Sequence, residues 1–438
     1  MTNQLGRQIV GIAKLQLLTA SIGLLTQIYL ARLLGPEQKG ILDLFVLVPT
    51  ILASLSDFGL LSANTYFAGK NQISIRILHS HSICWAIVAS CFIMGAGVLL
   101  QDSISALLKG LVGWNLLVAV VLAGPTMYIA LWSSLMYGIN RVRTVYLFNI
   151  FTGIGALVLY LILGTFLTLS INVFLIATAA FTVTKAIWAF LVTEPESLPI
   201  LRFDVHSLKR SLGYGIPLYF GLIINVLHFR LSQFFVNWVG GAADLANFAL
   251  ASRMAEILWL MDYAIINASI FRITSTSPEE AAEITGRMGR IVGFMIFLAS
   301  VGVALAAPFV VPFLFGKAFS PAVMPLIILL PGVLLWSIGR VLAQFIAYQM
   351  GKPWLNLRAS FTAFAVNVLL MVILVPPFGI VGAAVSTSIS FACNYAFLAF
   401  AFIRITKMGF SSMLIPTKGD FDLAIRVARD QFGLLATR

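Results

Sequence analysis

Charge is what this sequence has least of. Only 10% of its 438 residues are Asp, Glu, Lys or Arg, against about a quarter in an ordinary soluble domain. So little charge cannot clothe a water-facing surface, which excludes the two or three soluble domains that the length would suggest. Cysteine is rarer still. Cys84, Cys91 and Cys393 are too few and too scattered for a disulfide framework or a thiolate metal site. All three fall in apolar runs, where thiols behave as small hydrophobes. Long polar connections are missing as well. The longest, about residues 194–212, is too short to fold as an extramembrane domain, so a catalytic ectodomain is excluded and any chemistry must occur at membrane depth.

What the sequence has is hydrocarbon. Sixty percent of its residues are hydrophobic, and its mean hydropathy is +0.99. A helix needs roughly 20 mostly apolar residues to cross a hydrocarbon core about 30 Å thick. Twelve runs qualify: 9–31, 41–67, 81–100, 111–137, 145–168, 172–193, 213–236, 243–270, 289–315, 322–349, 355–375 and 380–403. Their continuity excludes the alternating pattern of a membrane β-barrel. The first run is too long, and too poorly ended by small residues, for a cleaved signal peptide.

The net charge of +12 is distributed as a membrane protein requires, which argues against nucleic acid as a partner. With twelve spans and a cytoplasmic N-terminus, twenty of the 28 basic residues fall in inside segments or at the cytoplasmic ends of spans. Four fall outside (Arg32, Lys39, Lys109 and Lys317), and four lie within spans. Basic residues flanking spans resist translocation, so both termini are expected in the cytoplasm.

The connection at 194–212 divides the spans six and six. Tyr137–Val142 and Tyr348–Pro353 each close the fourth span of their half, and the turn at Gly35–Gly40 has a counterpart at Gly240–Ala246. An even number of spans per repeat gives the halves one orientation, a parallel pseudo-two-fold repeat of a kind common in secondary transporters. The expected organisation is an N-terminal six-helix bundle at 1–193, a cytoplasmic linker at 194–212, a C-terminal bundle at 213–405 and a tail at 406–438. In the tail Phe421, Ile425, Ala428, Phe432 and Leu435 recur at helical spacing. That suits an amphipathic helix lying on the cytoplasmic leaflet, with a soluble partner-binding helix as the alternative.

Charges inside spans are costly and usually face a bundle interior or a water-filled cavity. Asp43 is discounted as interfacial. The deep candidates are Asp57, Lys185, Arg230, Arg253, Glu256, Asp262 and Arg340. Arg253 and Glu256, three apart on one helix, can neutralise each other. Lys185, Arg230 and Arg340 have no acid within their own spans. This basic surplus favours an anionic substrate, which Arg holds through charge-assisted hydrogen bonds. Pro49, Pro125, Pro217 and Pro331 interrupt spans and permit kinks. No metal site, cofactor or enzymatic machinery is expected.

Three stretches carry a resemblance: Ala31–Glu37 with Gly40; Gly213–Pro217 leading to Arg230–Gln233, Gly240 and Ala251–Glu256; and Phe315–Phe319, Leu330–Gly332, Gly351–Pro353, Asn367 and Pro377–Ala384. In this order they resemble the Wzx-like polysaccharide flippases of the multidrug/oligosaccharidyl-lipid/polysaccharide (MOP) exporter superfamily. The resemblance implies an all-α MATE/MOP-like membrane fold, two six-helix bundles around a central cationic cavity. It also implies a cargo, undecaprenyl-pyrophosphate-linked oligosaccharide, moved by alternating access to the outer leaflet of the bacterial plasma (inner) membrane for O-antigen, capsule or exopolysaccharide. The implied partners are that lipid-linked oligosaccharide, membrane lipids, a polysaccharide polymerase and chain-length machinery.

In that picture Arg230 and Arg253 contact the pyrophosphate or acidic sugars, and Lys185 and Arg340 assist. Asp57, Asp262 and Glu256 are the ion-coupling candidates. Arg32, with Gly35 and Pro217, is a gate or structural element. Two departures stand out: Ser232, where family members often have an acid, and Ala246, where a glycine is usual. A MATE-type drug/cation antiporter is the alternative, disfavoured by the basic surplus; a membrane glycan polymerase or glycosyltransferase is a more distant one.

Overall fold

The structure is a computed structural model that describes residues 2–166, 170–199, 204–260, 262, 273 and 276–407, and the side chains of all of these except 2–13 and 166. The expected tail helix at Phe421–Leu435 lies outside the described residues, as do Arg202, Arg272, Lys418, Arg426, Arg429 and Arg438. All regular structure among the described residues is helical. In chain order the helices are α1 (Thr2–Ser56), α2 (Leu60–Gly69), α3 (Ile75–Leu99), α4 (Gln101–Leu107), α5 (Gly113–Val121) and α6 (Ala123–Gly138). There follow α7 (Val142–Phe166), α8 (Ile171–Leu191), α9 (Val205–Gly240), α10 (Ala242–Glu256), α11 (Pro278–Phe315), α12 (Val323–Gln344) and α13 (Pro353–Thr406).

Nine stretches of helix among the described residues are long and apolar enough to cross a bilayer. The twelve predicted spans reduce to these for identifiable reasons. Helices α1 and α13, at 55 and 54 residues, each carry two predicted spans, with a kink at Gly35 (φ 68, ψ 175) and at Gly379 (φ 54, ψ −133). Helix α10 begins the expected eighth span, most of whose later half lies outside the described residues. The predicted span at 41–67 is not one helix: it breaks at Asp57–Gly59, between α1 and α2.

Exposure follows the solvent. Phe92, Leu99 and Phe309 are 79%, 85% and 77% exposed, a liability in water that vanishes against hydrocarbon. Asn64, His79, Ser82 and Asn367 are buried instead, and they are satisfied internally. Asn64 Nδ2 donates to Ser82 Oγ at 2.9 Å, and Asn367 Nδ2 to Ser390 Oγ at 3.3 Å.

The internal repeat is written in the backbone. Asn140 and Gly351, the turn residues of the echoed motifs, have φ of 61° and 62°. Gly35 (φ 68, ψ 175) and Gly241 (φ 86, ψ −170) share an extended left-handed conformation just before a helix. Gly110 and Gly316, ahead of α5 and α12, have φ of 97° and 99°. L-residues with a side chain rarely adopt these angles, so matched pairs at matched places in both halves mark one folding pattern used twice.

By contact density the chain forms two compact units. One runs to Asn247 and takes in Leu314–Phe319; the other runs from Phe248 to Phe313 and resumes at Ser320, so the boundary falls inside α10. The first unit includes α9 because α9 is tied to the helices before it. Tyr219 donates to the Leu55 carbonyl at 2.7 Å, Arg210 donates to Gln72 Oε1 at 2.8 Å and lies over the Phe67 ring, and Asn237 Nδ2 donates to the Lys109 carbonyl at 3.1 Å. Asp204 caps the start of α9, accepting from the backbone of His206 and Ser207. The Ser207 hydroxyl hydrogen-bonded to it holds its carboxyl below the usual carboxylate range.

Within this unit the backbones of Gly59 and Gly215 touch, and a Cβ on Gly215 would overlap the Gly59 carbonyl. Two residues away, a Cβ on Gly213 would meet nothing within 4 Å. The same substitution therefore has opposite effects. Gly215→Ala is expected to lower stability by about 1–3 kcal/mol through overpacking. Gly213→Ala should raise it by about 0.5–1 kcal/mol through helix propensity. Thermal unfolding in detergent checks both; equal midpoints would contradict the contact.

Candidate functional site

The first unit holds Arg32, Gly35, Asp57, Lys185, Pro217 and Arg230. Its central feature is the break at Asp57. Ending α1 in mid-span frees carbonyls that hydrocarbon cannot satisfy. Two side chains from other helices reach them: Trp85 Nε1 donates to the Ser56 carbonyl at 2.7 Å, and Tyr219 serves Leu55. Asp57 turns the chain, its carboxylate accepting the Gly59 N–H at 2.6 Å while it stays 7% exposed. Phe58 (φ 45) and Gly59 (φ 82) both take left-handed backbone. Phe58 is held there by its ring, 6.0 Å from Trp85 and 5.6 Å from Tyr219. The proposed ion-coupling acid is thus the keystone of a broken helix.

Lys185, on α8, lines a cavity of about 160 Å³ closed by α1, α6 and α8. It is the one charged residue in that lining, facing Thr50, Thr126, Thr178 and Thr182 beside Pro49. Its ammonium lies 5.7 Å from the Phe181 ring centroid, a cation–π contact that substitutes for only part of lost hydration. Arg230 is half-buried on α9, and among the described residues its guanidinium makes no ion pair or hydrogen bond. Pro217 interrupts α9 without ending it; its missing N–H releases a carbonyl one turn back. Gly35 is the α1 kink. Arg32 is exposed and donates from Nε to the Leu314 carbonyl at 2.8 Å, fastening the kink to the end of α11.

The second unit holds Arg253, Glu256, Asp262 and Arg340. Arg253 and Glu256 are half-buried in the last turn of α10. Arg340 and Asp262, separate in sequence, form an ion pair with Nη1 3.4 Å from Oδ1; the Asp262 side chain is 0% exposed and that of Arg340 27%. Trp259, Trp336 and Phe391 form an aromatic group on the same helices and α13, with Trp336 and Phe391 centroids 4.8 Å apart. The absence of an acid within the Arg340 span, true of the sequence, does not leave Arg340 unneutralised.

One pair escaped sequence reasoning. Lys39, counted as an outside loop residue, and Asp43, set aside as interfacial, are buried in α1 and paired at 2.6 Å. The i, i+4 spacing was the available signal. Nearby apolar packing, which the sequence does not display, turned an interfacial pair into a buried one.

Set beside known proteins, the chain matches the family described as "Polysaccharide biosynthesis protein" over residues 29–324. The "Probable low-salt glycan biosynthesis flippase Agl15" of Haloferax volcanii is 25% identical over 84% of this chain and 76% of its own length. The "Lipopolysaccharide biosynthesis protein WzxC" of Escherichia coli is 22% identical over 78% and 69%. Among solved structures, "Lipid II flippase MurJ, inward closed conformation" superposes with a TM-score of 0.72 at 13% identity, covering 91% of this chain and 90% of that one. An inward-facing multidrug resistance MATE family transporter of the MOP superfamily gives 0.68 at 16%, covering 89% and 96%. The last two establish the fold, which is that of the MOP superfamily. The match of more than half of its length establishes the kinship: this chain belongs to the polysaccharide biosynthesis protein family.

Proposed function

We propose that the protein is a transporter, not an enzyme, that flips undecaprenyl-pyrophosphate-linked oligosaccharide from the inner to the outer leaflet of a bacterial plasma membrane. It works by alternating access through a cationic cavity, with both termini cytoplasmic, and supplies a polymerase and chain-length machinery that build surface polysaccharide. The observation that carries this reading is a difference among the buried charges. Lys39 and Arg340 are neutralised by Asp43 and Asp262, as structural cations in a membrane should be. Among the described residues, Lys185 and Arg230 are not. A lone Lys or Arg at the centre of a span costs roughly 2.5–3.5 kcal/mol, and a diphosphate or acidic sugar passing by is a ligand that offsets it.

In this reading Arg230 and Lys185 bind the anionic part of the cargo, joined by Arg253. Arg340 is first a partner of Asp262. The family membership and the basic character of these positions both weigh against the drug/cation antiporter reading. Asp57 and Asp262 remain the coupling acids to test: protonating Asp57 would loosen the turn it holds, and protonating Asp262 would release Arg340 to the cargo. Glu256, beside Arg253, is the third.

Deleting the gene should leave lipid-linked units on the inner leaflet and a bare cell surface; units that reach the outer leaflet unpolymerised would reject the flippase reading. In complementation, Arg230→Gln and Lys185→Gln are expected to fold normally and lose transport by about tenfold or more, the scale of one charge-assisted contact. Unchanged surface glycan removes either residue from the site.

Arg340→Met should behave differently. It strands a buried carboxylate, costing about 3–5 kcal/mol, so folded protein falls. The double substitution Arg340→Met with Asp262→Asn should restore it. Normal amounts of folded single variant would show that Asp262 does not depend on Arg340.

A further inference from the structure

Two lysines of the first unit spend their ammonium groups inside the protein: Lys39 on Asp43 at 2.6 Å and Lys109 on the Val239 carbonyl at 2.9 Å. Among the described residues Lys185 has no such partner, only the Phe181 ring with its centroid 5.7 Å away. The transport reading gives Lys185 a counter-charge while cargo is bound and none for the rest of the cycle. A lone cation at membrane depth is costly throughout, so the chain without cargo needs a counter-ion of its own.

The cavity in front of Lys185 limits what that ion can be. Its volume, about 160 Å³, lies below the range of about 300–1,000 Å³ in which organic ligands are held. One water needs at least about 10–15 Å³ of such space, so a small ion fits together with several waters. Lys185 is the one charged residue in the lining and balances a single negative charge. Doubly charged phosphate would leave its second charge facing Phe45, Val46, Leu122 and Ile129, apolar walls that cannot replace its hydration. Thr50, Thr178 and Thr182 have given their hydroxyl protons to the carbonyls of Val46, Phe174 and Thr178. Among the described residues no hydrogen bond takes up the Thr126 hydroxyl. One ammonium and one hydroxyl replace only part of a hydration shell, which favours an anion that holds water weakly.

We propose that this cavity is a binding site for a weakly hydrated, monovalent inorganic anion of the chloride class, held by the Lys185 ammonium with the Thr126 hydroxyl. The inference goes beyond the transport reading, because it describes the chain without cargo. Where cargo comes to Lys185, the resident ion leaves as the cargo's anion arrives, so the two exclude each other at this residue.

The test uses the purified full-length chain in detergent, free of cargo. Its thermal midpoint is read in sodium chloride, bromide, fluoride and gluconate at equal ionic strength, and chloride binding is followed by chlorine NMR linewidths. Chloride and bromide are expected to raise the midpoint by about 2 °C over gluconate, an organic anion too large for the cavity. Fluoride, strongly hydrated, should stay close to gluconate. Lys185→Gln should abolish the difference, Lys185→Arg should keep it, and Thr126→Val should weaken chloride binding about fivefold. Inorganic phosphate should displace chloride more weakly than bromide does.

Equal midpoints in chloride and gluconate would overturn the proposal, as an amine without its proton would give. A chloride effect that survives Lys185→Gln would also overturn it, by putting the ion elsewhere. Stronger displacement by phosphate than by bromide would return the cavity to the cargo's phosphate alone. If Lys185→Gln does not fold, unchanged chloride linewidths in Thr126→Val count against the site in the same way. Transport is read separately in cells. Chloride bound by a chain that carries no glycan would keep the site and sink the transport reading, and glycan transport by a chain blind to chloride would do the reverse.

Discussion

Hydrocarbon offers no hydrogen bonds, so every backbone group that leaves a helix inside the membrane must find a partner within the protein. The architecture of the first unit turns on one place where that constraint is strained. Between Ser56 and Leu60 the chain abandons helical geometry, and the freed carbonyls of Leu55 and Ser56 are met by Tyr219 and Trp85. Those donors sit on α9 and α3. Satisfying one break therefore ties together α1, α2, α3 and α9, and the touching backbones of Gly59 and Gly215 fix how closely. This is a physical reason why α9, first helix of the second sequence half, belongs to the first compact unit.

The same constraint sorts the charges. A buried ion pair in a membrane protein is a structural solution: it lets Lys39 and Asp43 sit at 6% and 10% side-chain exposure without either being stranded. Removing one partner of such a pair is costly, whereas removing both is often not. Cations without acids are a different object. Lys185 has a cavity in front of it and threonine hydroxyls around it, most turned back to their own helix carbonyls: Thr178 to Phe174 at 2.6 Å, Thr182 to Thr178 at 2.8 Å and Thr50 to Val46 at 2.8 Å. Those three protons are spent, which leaves the ammonium, with the Thr126 hydroxyl, to receive an anion in that lining.

Much of the frame was legible in the sequence. Spans are averages over some twenty residues, and averages survive ignorance of tertiary structure. The repeat was legible because turns need particular residues: Asn140 and Gly351 hold the same left-handed angle at equivalent points, and Gly35 and Gly241 do likewise. The α1–α2 break was not. Asp57, Phe58 and Gly59 are embedded in apolar sequence that reads as one span, and the donors that make a break tolerable lie 29 and 164 residues from their acceptors. The neutralisation of Arg340 was equally hidden, since its acid is on another helix. Sequence displays which charges are buried; it conceals which are paired.

That concealed distinction bears on mechanism. If every intramembrane cation were an anion-binding group, the cavity would be uniformly attractive, and a diphosphate bound too well would never leave. A mixture solves this. On the proposed reading, Arg230 and Lys185, which have no acidic partner among the described residues, would supply standing attraction in the first unit, while Arg340 in the second would offer its charge only when Asp262 lets go. A site whose affinity depends on an acid's protonation or on helix movement can bind on one side and release on the other, because a ligand shifts a conformational equilibrium only through its differential affinity for the two states. On the proposed reading the buried acids are therefore as necessary to transport as the cations, and the Asp57 break supplies a place where one of them is tied to the backbone itself, through the Gly59 N–H.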